Sequence, residues 1–133
     1  MKDELKKVIN NAYAPYSKFK VACGVVTADG KKFYGVNVEN ASYGATICAE
    51  RNALTTAITY GYRKEDIKEI HIMGSSKEKC LPCMICRQVF VELLDPSVDV
   101  IVYNIDGEFD QYKVKDLCPY PFDGESLKWN QDL

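Results

Sequence analysis

Two short stretches constrain this chain more than any other feature: Cys48-Ala49-Glu50-Arg51 and Pro82-Cys83-Met84-Ile85-Cys86-Arg87. They group three thiols and one carboxylate as Cys-x-Glu followed by Pro-Cys-x-x-Cys. Sulfurs this far apart in sequence serve one ion only if the chain brings both stretches side by side. Three thiolates hold a zinc ion and leave its fourth position open to water. A carboxylate two residues from one ligand is placed to move protons for that water. The pattern points to a zinc hydrolase with one Zn²⁺ per chain, its ligands Cys48, Cys83 and Cys86 and its proton carrier Glu50 lying on two adjacent helix starts.

Helix N-termini carry free N–H groups and partial positive charge, and both favour thiolate over thiol. Cys48 is expected near the start of one helix and Cys83 and Cys86 in the first turn of the next, with Pro82 opening it. Three thiolates on Zn²⁺ leave a net charge of about −1. Arg51 and Arg87 each follow a ligand closely and are candidates to offset that charge through hydrogen bonds to sulfur. Two residues along a helix turn the chain by about 200°, so Glu50 reaches the same side as Cys48 only where the first turn departs from regular helix.

The chain has 133 residues, 47% hydrophobic and 27% charged, the balance of a soluble globular protein. One domain spanning residues 1–133 is expected. The start, Met1-Lys2-Asp3-Glu4-Leu5, lacks the apolar stretch of a secretion signal, and no run approaches membrane-spanning length. A cytoplasmic location is expected, with no membrane partner. There, six cysteines are better read as metal ligands and free thiols than as disulfides. A net charge of −2 argues against a nucleic-acid partner and for a small neutral substrate.

Periodicity places a helix over residues 3 to 12, then strands over 19–27 and 32–38 joined by Asp29-Gly30. Thr46 is the expected cap of a helix running to Tyr60. A strand over 67–74 precedes the Pro82 helix, which stops at Asp95-Pro96. Strands over 98–104 and 109–114 flank Asp106-Gly107, and the tail from Lys115 holds a short helix. The order α, β, β, α, β, α, β, β predicts an α/β fold, a three-layer α/β/α sandwich around a mixed five-stranded sheet.

Taken together, these motifs resemble the nucleoside cytidine deaminases, within the wider zinc-deaminase group. Besides the two cysteine stretches, Tyr13-Ala14-Pro15-Tyr16-Ser17-Lys18-Phe19 and Gly35-Val36-Asn37-Val38-Glu39-Asn40-Ala41-Ser42-Tyr43 are similar to that family's N-terminal and ribose-binding segments. The resemblance implies hydrolysis of cytidine or deoxycytidine to uridine or deoxyuridine with release of ammonia, a pyrimidine-salvage reaction. It implies that Glu50 carries protons from the attacking water to N3 and the leaving amino group. Asn37 and Glu39 would bind ribose hydroxyls and Phe19 would pack on the base. Backbone groups around Ala41 and Ala49 would read the pyrimidine edge. Phe122 and the Tyr43 loop would reach a neighbouring subunit's site in a homotetramer. Met84 stands where the family usually has Gly, and Leu81 where Ser is common.

Other readings of the same residues exist. A cytosine nucleoside antibiotic of the blasticidin-S type is an alternative substrate. Cys80, three residues before Cys83, with Cys118 beyond, would close a four-sulfur zinc or iron–sulfur site without catalysis. Otherwise Cys23, Cys80 and Cys118 are ordinary thiols, and His71, the one histidine, is a packed, hydrogen-bonded strand residue.

Overall fold

A computed structural model describes residues 1–127. Five strands, β1 (Val21–Thr27), β2 (Lys32–Val36), β3 (Ile67–Gly74), β4 (Asp99–Tyr103) and β5 (Phe109–Lys113), form one sheet in the order β2-β1-β3-β4-β5. Only β3 and β4 run parallel; β1 is antiparallel to both β2 and β3, and β5 is antiparallel to β4. The parallel pair needs a crossover, and α3 (Met84–Leu93) supplies it. Helix α2 (Ala49–Thr59) links β2 to β3, and the short α4 (Val114–Leu117) follows β5.

Strand alternation divides the core into two layers of side chains. Cys23, Val25, Ile70, Ile72, Val100 and Val102 face α2 and α3 and pack with Leu54, Phe90 and Leu94. Ala22, Met73, Ile101 and Tyr103 face the other way and pack under α1 (Lys2–Val8) with Leu5 and Ile9. The result is the expected three-layer α/β/α sandwich on a mixed sheet. His71 points to the α1 side, nearly buried, with Nδ1 2.8 Å from the Tyr103 hydroxyl.

Several boundaries differ from the sequence reading. The first helix ends at Val8 and tightens into a 3-10 turn over Ile9–Asn11. Phe19 and Lys20 precede β1 because Lys18 takes a left-handed backbone, with φ of 62°, which breaks the extended chain. Val38 lies past β2 and bridges instead to Tyr13 and Ile47. Thr46 does not cap α2, since its hydroxyl accepts the Asn40 N–H at 3.1 Å and Cys48 holds the cap position. Cys83, not Pro82, immediately precedes α3 and caps it.

Two glycines let elements approach where no Cβ fits. A Cβ on Gly35 of β2 would lie 2.5 Å from the Ala53 nitrogen and 2.6 Å from the Ala49 carbonyl oxygen, so α2 rests directly on the strand backbone. At the end of β3, a Cβ on Gly74 would meet the tip of the Phe19 ring at 2.8 Å. The first contact sets the depth of the helix that begins with Cys48. The second seats an aromatic ring at the carboxyl end of a central strand.

Candidate metal and substrate site

The N-termini of α2 and α3 converge on one point. Cys48 caps α2 with extended backbone, φ −72° and ψ 153°, and Cys83 caps α3 with φ −68° and ψ 166°. Cys86 lies in the first turn of α3, one turn on from the capping Cys83. The three sulfurs lie within 4.8 Å of one another. A tetrahedral zinc with ordinary zinc–sulfur bonds sets its sulfurs roughly 3.8 Å apart. The triangle and its all-thiol donor set therefore fit zinc, with both positive helix ends directed at the thiolates.

No fourth sulfur joins this group among the described residues. Cys80 is exposed, and Cys118 lies beside α4 in a separate cleft, next to Pro119 and Tyr120. The four-sulfur arrangement therefore does not form, because the loop before Pro82 keeps Cys80 out of the triangle.

The extended cap at Cys48 also removes the difficulty with Glu50. The 200° rotation holds only between two helical residues, and Cys48 is not helical. Glu50 is 5% exposed and lines the same cleft as Cys48 and Cys83. Burial, with the nearby Cys48 sulfur, holds its carboxyl above the usual carboxylate range. Cys48 is held down to about 5, first by a hydrogen bond from Cys86 and then by the Arg51 guanidinium, against the opposing effect of burial. Cys86, which keeps the proton, is pushed up by that same bond and by burial.

Arg51 Nη2 donates to the Cys48 sulfur at 3.5 Å and to the Thr46 carbonyl at 3.3 Å. Arg87 was expected to act similarly, but its hydrogen bonds go elsewhere. It donates from Nε to the Pro82 carbonyl at 2.8 Å and from Nη1 to the Leu117 carbonyl at 2.9 Å. Arg87 thus braces the chain just before Cys83 against α4, while Arg51 bonds to a ligand sulfur.

The cleft has a volume of about 300 Å³. Its floor holds Cys48, Ala49, Glu50 and Cys83, and its walls include Phe19, Val21, Ile72, Gly74 and Leu81. Ser17, Asn37, Glu39 and Thr46 add polar groups to the lining. No Lys, Arg or His lines it.

Asn37, 8% exposed, acts like a peptide group. Its Nδ2 donates to the Phe19 carbonyl at 2.9 Å, and its Oδ1 accepts the Val21 N–H at 2.8 Å. One donor hydrogen and one lone pair remain. Glu39 Oε1 accepts the N–H groups of Tyr16 and Ser17, both at 3.0 Å, and Oε2 accepts the Ser17 hydroxyl. These bonds, the Ser17 hydroxyl first, hold the Glu39 carboxyl below its usual range.

Ala41 is exposed and lies outside this cleft. Tyr43, 79% exposed, lines a neighbouring cleft of about 290 Å³ that shares Ser17, Glu39 and Thr46. Phe122 is 58% exposed, and its carbonyl accepts from Gln88 of α3 at 2.8 Å. Ser17, Thr46 and Gly74 also line the cleft, and sequence pattern alone does not mark them as site residues. Ser17 lay within the segment ending at Phe19, but its tie to Glu39 spans 22 residues and has no local signature.

Comparison with known proteins agrees with this geometry. Residues 1–103 match the family described as the cytidine and deoxycytidylate deaminase zinc-binding region. The chain is 40% identical over 116 residues to a cytidine deaminase of Halalkalibacterium halodurans, covering 87% of this chain and 86% of the relative. It is 36% identical over 126 residues to one from Sporosarcina psychrophila, covering 95% and 91% respectively. The crystal structure of a cytidine deaminase from Burkholderia pseudomallei superposes with a TM-score of 0.86 at 44% identity, covering 90% of this chain and 94% of the other. With its thiol triangle, its buried carboxylate and its mixed sheet, this chain belongs to the cytidine and deoxycytidylate deaminase family.

Proposed function

We propose that this chain, acting as a single catalytic unit, hydrolyses cytidine and deoxycytidine to uridine or deoxyuridine and ammonia, in pyrimidine salvage. The observation that carries the reading is the placement of Glu50. A buried carboxylate lines the same cleft as Cys48 and Cys83, two of the three sulfurs that fit zinc. Zinc bound by Cys48, Cys83 and Cys86 supplies the Lewis acidity that brings a water's pKa toward neutrality.

The remaining steps belong to side chains. Glu50 takes a proton from the attacking water as the C4–O bond forms and passes it to N3, then carries the proton of the new C4 hydroxyl to the amino group as the C4–N bond breaks and ammonia leaves. Burial raises its carboxyl, so it holds a proton more readily than a solvated carboxylate, as a group that both takes and gives a proton must. Phe19, seated on Gly74, offers a flat face to the pyrimidine. The Leu81 carbonyl is available to the amino group, and the Ala49 backbone to the edge of the base. Asn37 and Glu39 present their unused donor and acceptors to ribose hydroxyls. A nucleoside, not a nucleotide, is the expected substrate. A phosphate would find no cation lining the cleft and would meet Glu39.

The open cleft and the exposed Tyr43, Met84, Ile85 and Phe122 support a homotetramer with shared sites. No helix among the described residues is long and apolar enough to cross a membrane, and cytoplasmic action accords with this. The test is a cytidine assay with zinc measured on the same sample. Loss of the cytidine absorbance with one zinc per chain is expected, and zinc without turnover overturns the reading. Parallel rates on a cytosine nucleoside antibiotic decide between the two substrate classes. Light scattering tests assembly, and a fully active monomer would exclude shared sites.

A further inference from the structure

We propose that Ser17 is a positioning residue, which aims the Glu39 carboxylate at the ribose hydroxyls. The assignment rests on the nucleoside reading above and extends it to a residue outside the metal site.

Ser17 makes the densest set of polar contacts at the sugar end of the cleft. Its N–H donates to Glu39 Oε1 at 3.0 Å and its hydroxyl donates to Glu39 Oε2. Because the hydroxyl proton goes to a carboxylate, the hydroxyl oxygen is left as an acceptor, and it takes the Phe19 N–H at 3.0 Å. Between Ser17 and Phe19 stands Lys18, with a left-handed φ of 62°, a conformation unfavourable for a non-glycine residue. The Ser17 hydroxyl bridges that bend, and the Lys18 N–H closes it on the Ala14 carbonyl at 3.0 Å. One side chain therefore bonds both the Glu39 carboxylate and the backbone of Phe19, two residues that line the cleft.

Lone-pair counting shows what this leaves for a ligand. A carboxylate offers about four acceptor sites. Tyr16 and Ser17 fill both on Oε1, and the Ser17 hydroxyl fills one on Oε2. A single acceptor remains on Oε2, and the Ser17 hydroxyl sets its direction. Without that hydroxyl, Oε2 is free to turn about the carboxylate bond and the remaining lone pair loses its aim. The effect falls on sugar binding and not on the chemistry at Glu50.

Ser17→Ala, Ser17→Thr and wild type are to be compared with cytidine and with 2′,3′-dideoxycytidine, with zinc content and melting temperature measured for each. The expected result for Ser17→Ala is a roughly tenfold rise in KM for cytidine, the scale of one hydrogen bond to a charged group. Its kcat stays within about twofold, its KM for the dideoxynucleoside is unchanged, and Ser17→Thr restores the cytidine KM. An unchanged cytidine KM in the Ala variant overturns the assignment. So does an equal KM rise for both substrates, or a fall in kcat together with zinc content, which would mark Ser17 as structural only. If wild type turns over no cytosine nucleoside, the functional reading itself falls and takes this assignment with it. Active wild type with an indifferent Ala variant removes only the role of Ser17.

Discussion

Gly35 and Ala53 touch backbone to backbone: a Cβ at Gly35 would stand 2.5 Å from the Ala53 nitrogen. Asn52 reinforces the contact by donating to the Val36 carbonyl at 2.8 Å. Since α2 begins at Cys48, the strand surface decides where the first sulfur sits. Gly35→Ala forces the helix outward against well-packed backbone, an overpacking change costing about 1–3 kcal/mol. A lowered melting temperature and weaker zinc retention under chelator are expected together. Unchanged zinc retention would show that the sulfur triangle does not depend on this contact.

Glu50→Gln removes the proton carrier but keeps its shape. Turnover is expected to fall by about 10²–10⁴-fold with zinc content unchanged. The metal-free protein shows the opposite sign in stability. The folded carboxyl lies above its unfolded value of 4.5 because it is buried, so the folded state holds more protons in that window. Its stability is full below the unfolded value and lost as pH rises through the folded one. The metal-free Gln variant is therefore expected to melt higher than metal-free wild type at pH 7, and equally near pH 4. Melting curves at the two pH values check this.

Arg51→Gln takes away the guanidinium that bonds the Cys48 sulfur. Zinc binding requires thiolates, so it competes with protons. Losing Arg51 raises the Cys48 thiol from its depressed position, although the Cys86 bond, the larger cause, remains. The pH midpoint of zinc uptake, followed by chelator competition, is expected to move upward in the variant. Arg87→Gln, whose contacts are to the Pro82 and Leu117 carbonyls, is expected to lower the melting temperature with a smaller shift in that midpoint.

His71 lies remote from the cleft, between Tyr103 and Glu69. Burial holds its imidazole below the usual 6.5, with Glu69 opposing. The unfolded chain therefore binds the proton more readily, so the contribution is full above about 6.5 and lost as pH falls toward the folded value. Denaturant midpoints at pH 7.5 and pH 5 are expected to differ more for wild type than for His71→Gln. Equal differences would mean that His71 does not titrate with folding.

Much of the site was legible because its chemistry is local. Cys48 with Glu50, and Cys83 with Cys86, lie two and three residues apart at helix starts, where residue type and short spacing already mark them as candidates for one site. The hairpins at Asp29-Gly30 and Asp106-Gly107, and strand β3, also follow from short-range pattern. What misled the boundaries was competition for the same groups. Thr46 has the chemistry of a helix cap, yet its hydroxyl is used by Asn40, and Cys48 takes the cap. Arg87 has the chemistry of a sulfur partner, yet two carbonyls claim it.

The sequence by itself determined the donor set, the proton carrier and the alternation of strands and helices that sets the layers. These follow from side-chain chemistry and from periods of two and 3.6 residues. Only the tertiary structure decided that Cys80 stays outside the sulfur triangle, that Glu50 shares a cleft with it, and that Ser17 holds Glu39 across 22 positions of sequence. Each depends on how far apart two backbones come to rest. Packing sets that distance at contacts such as Gly35 on Ala53 and Phe19 on Gly74, and no spacing of residues along the chain encodes it.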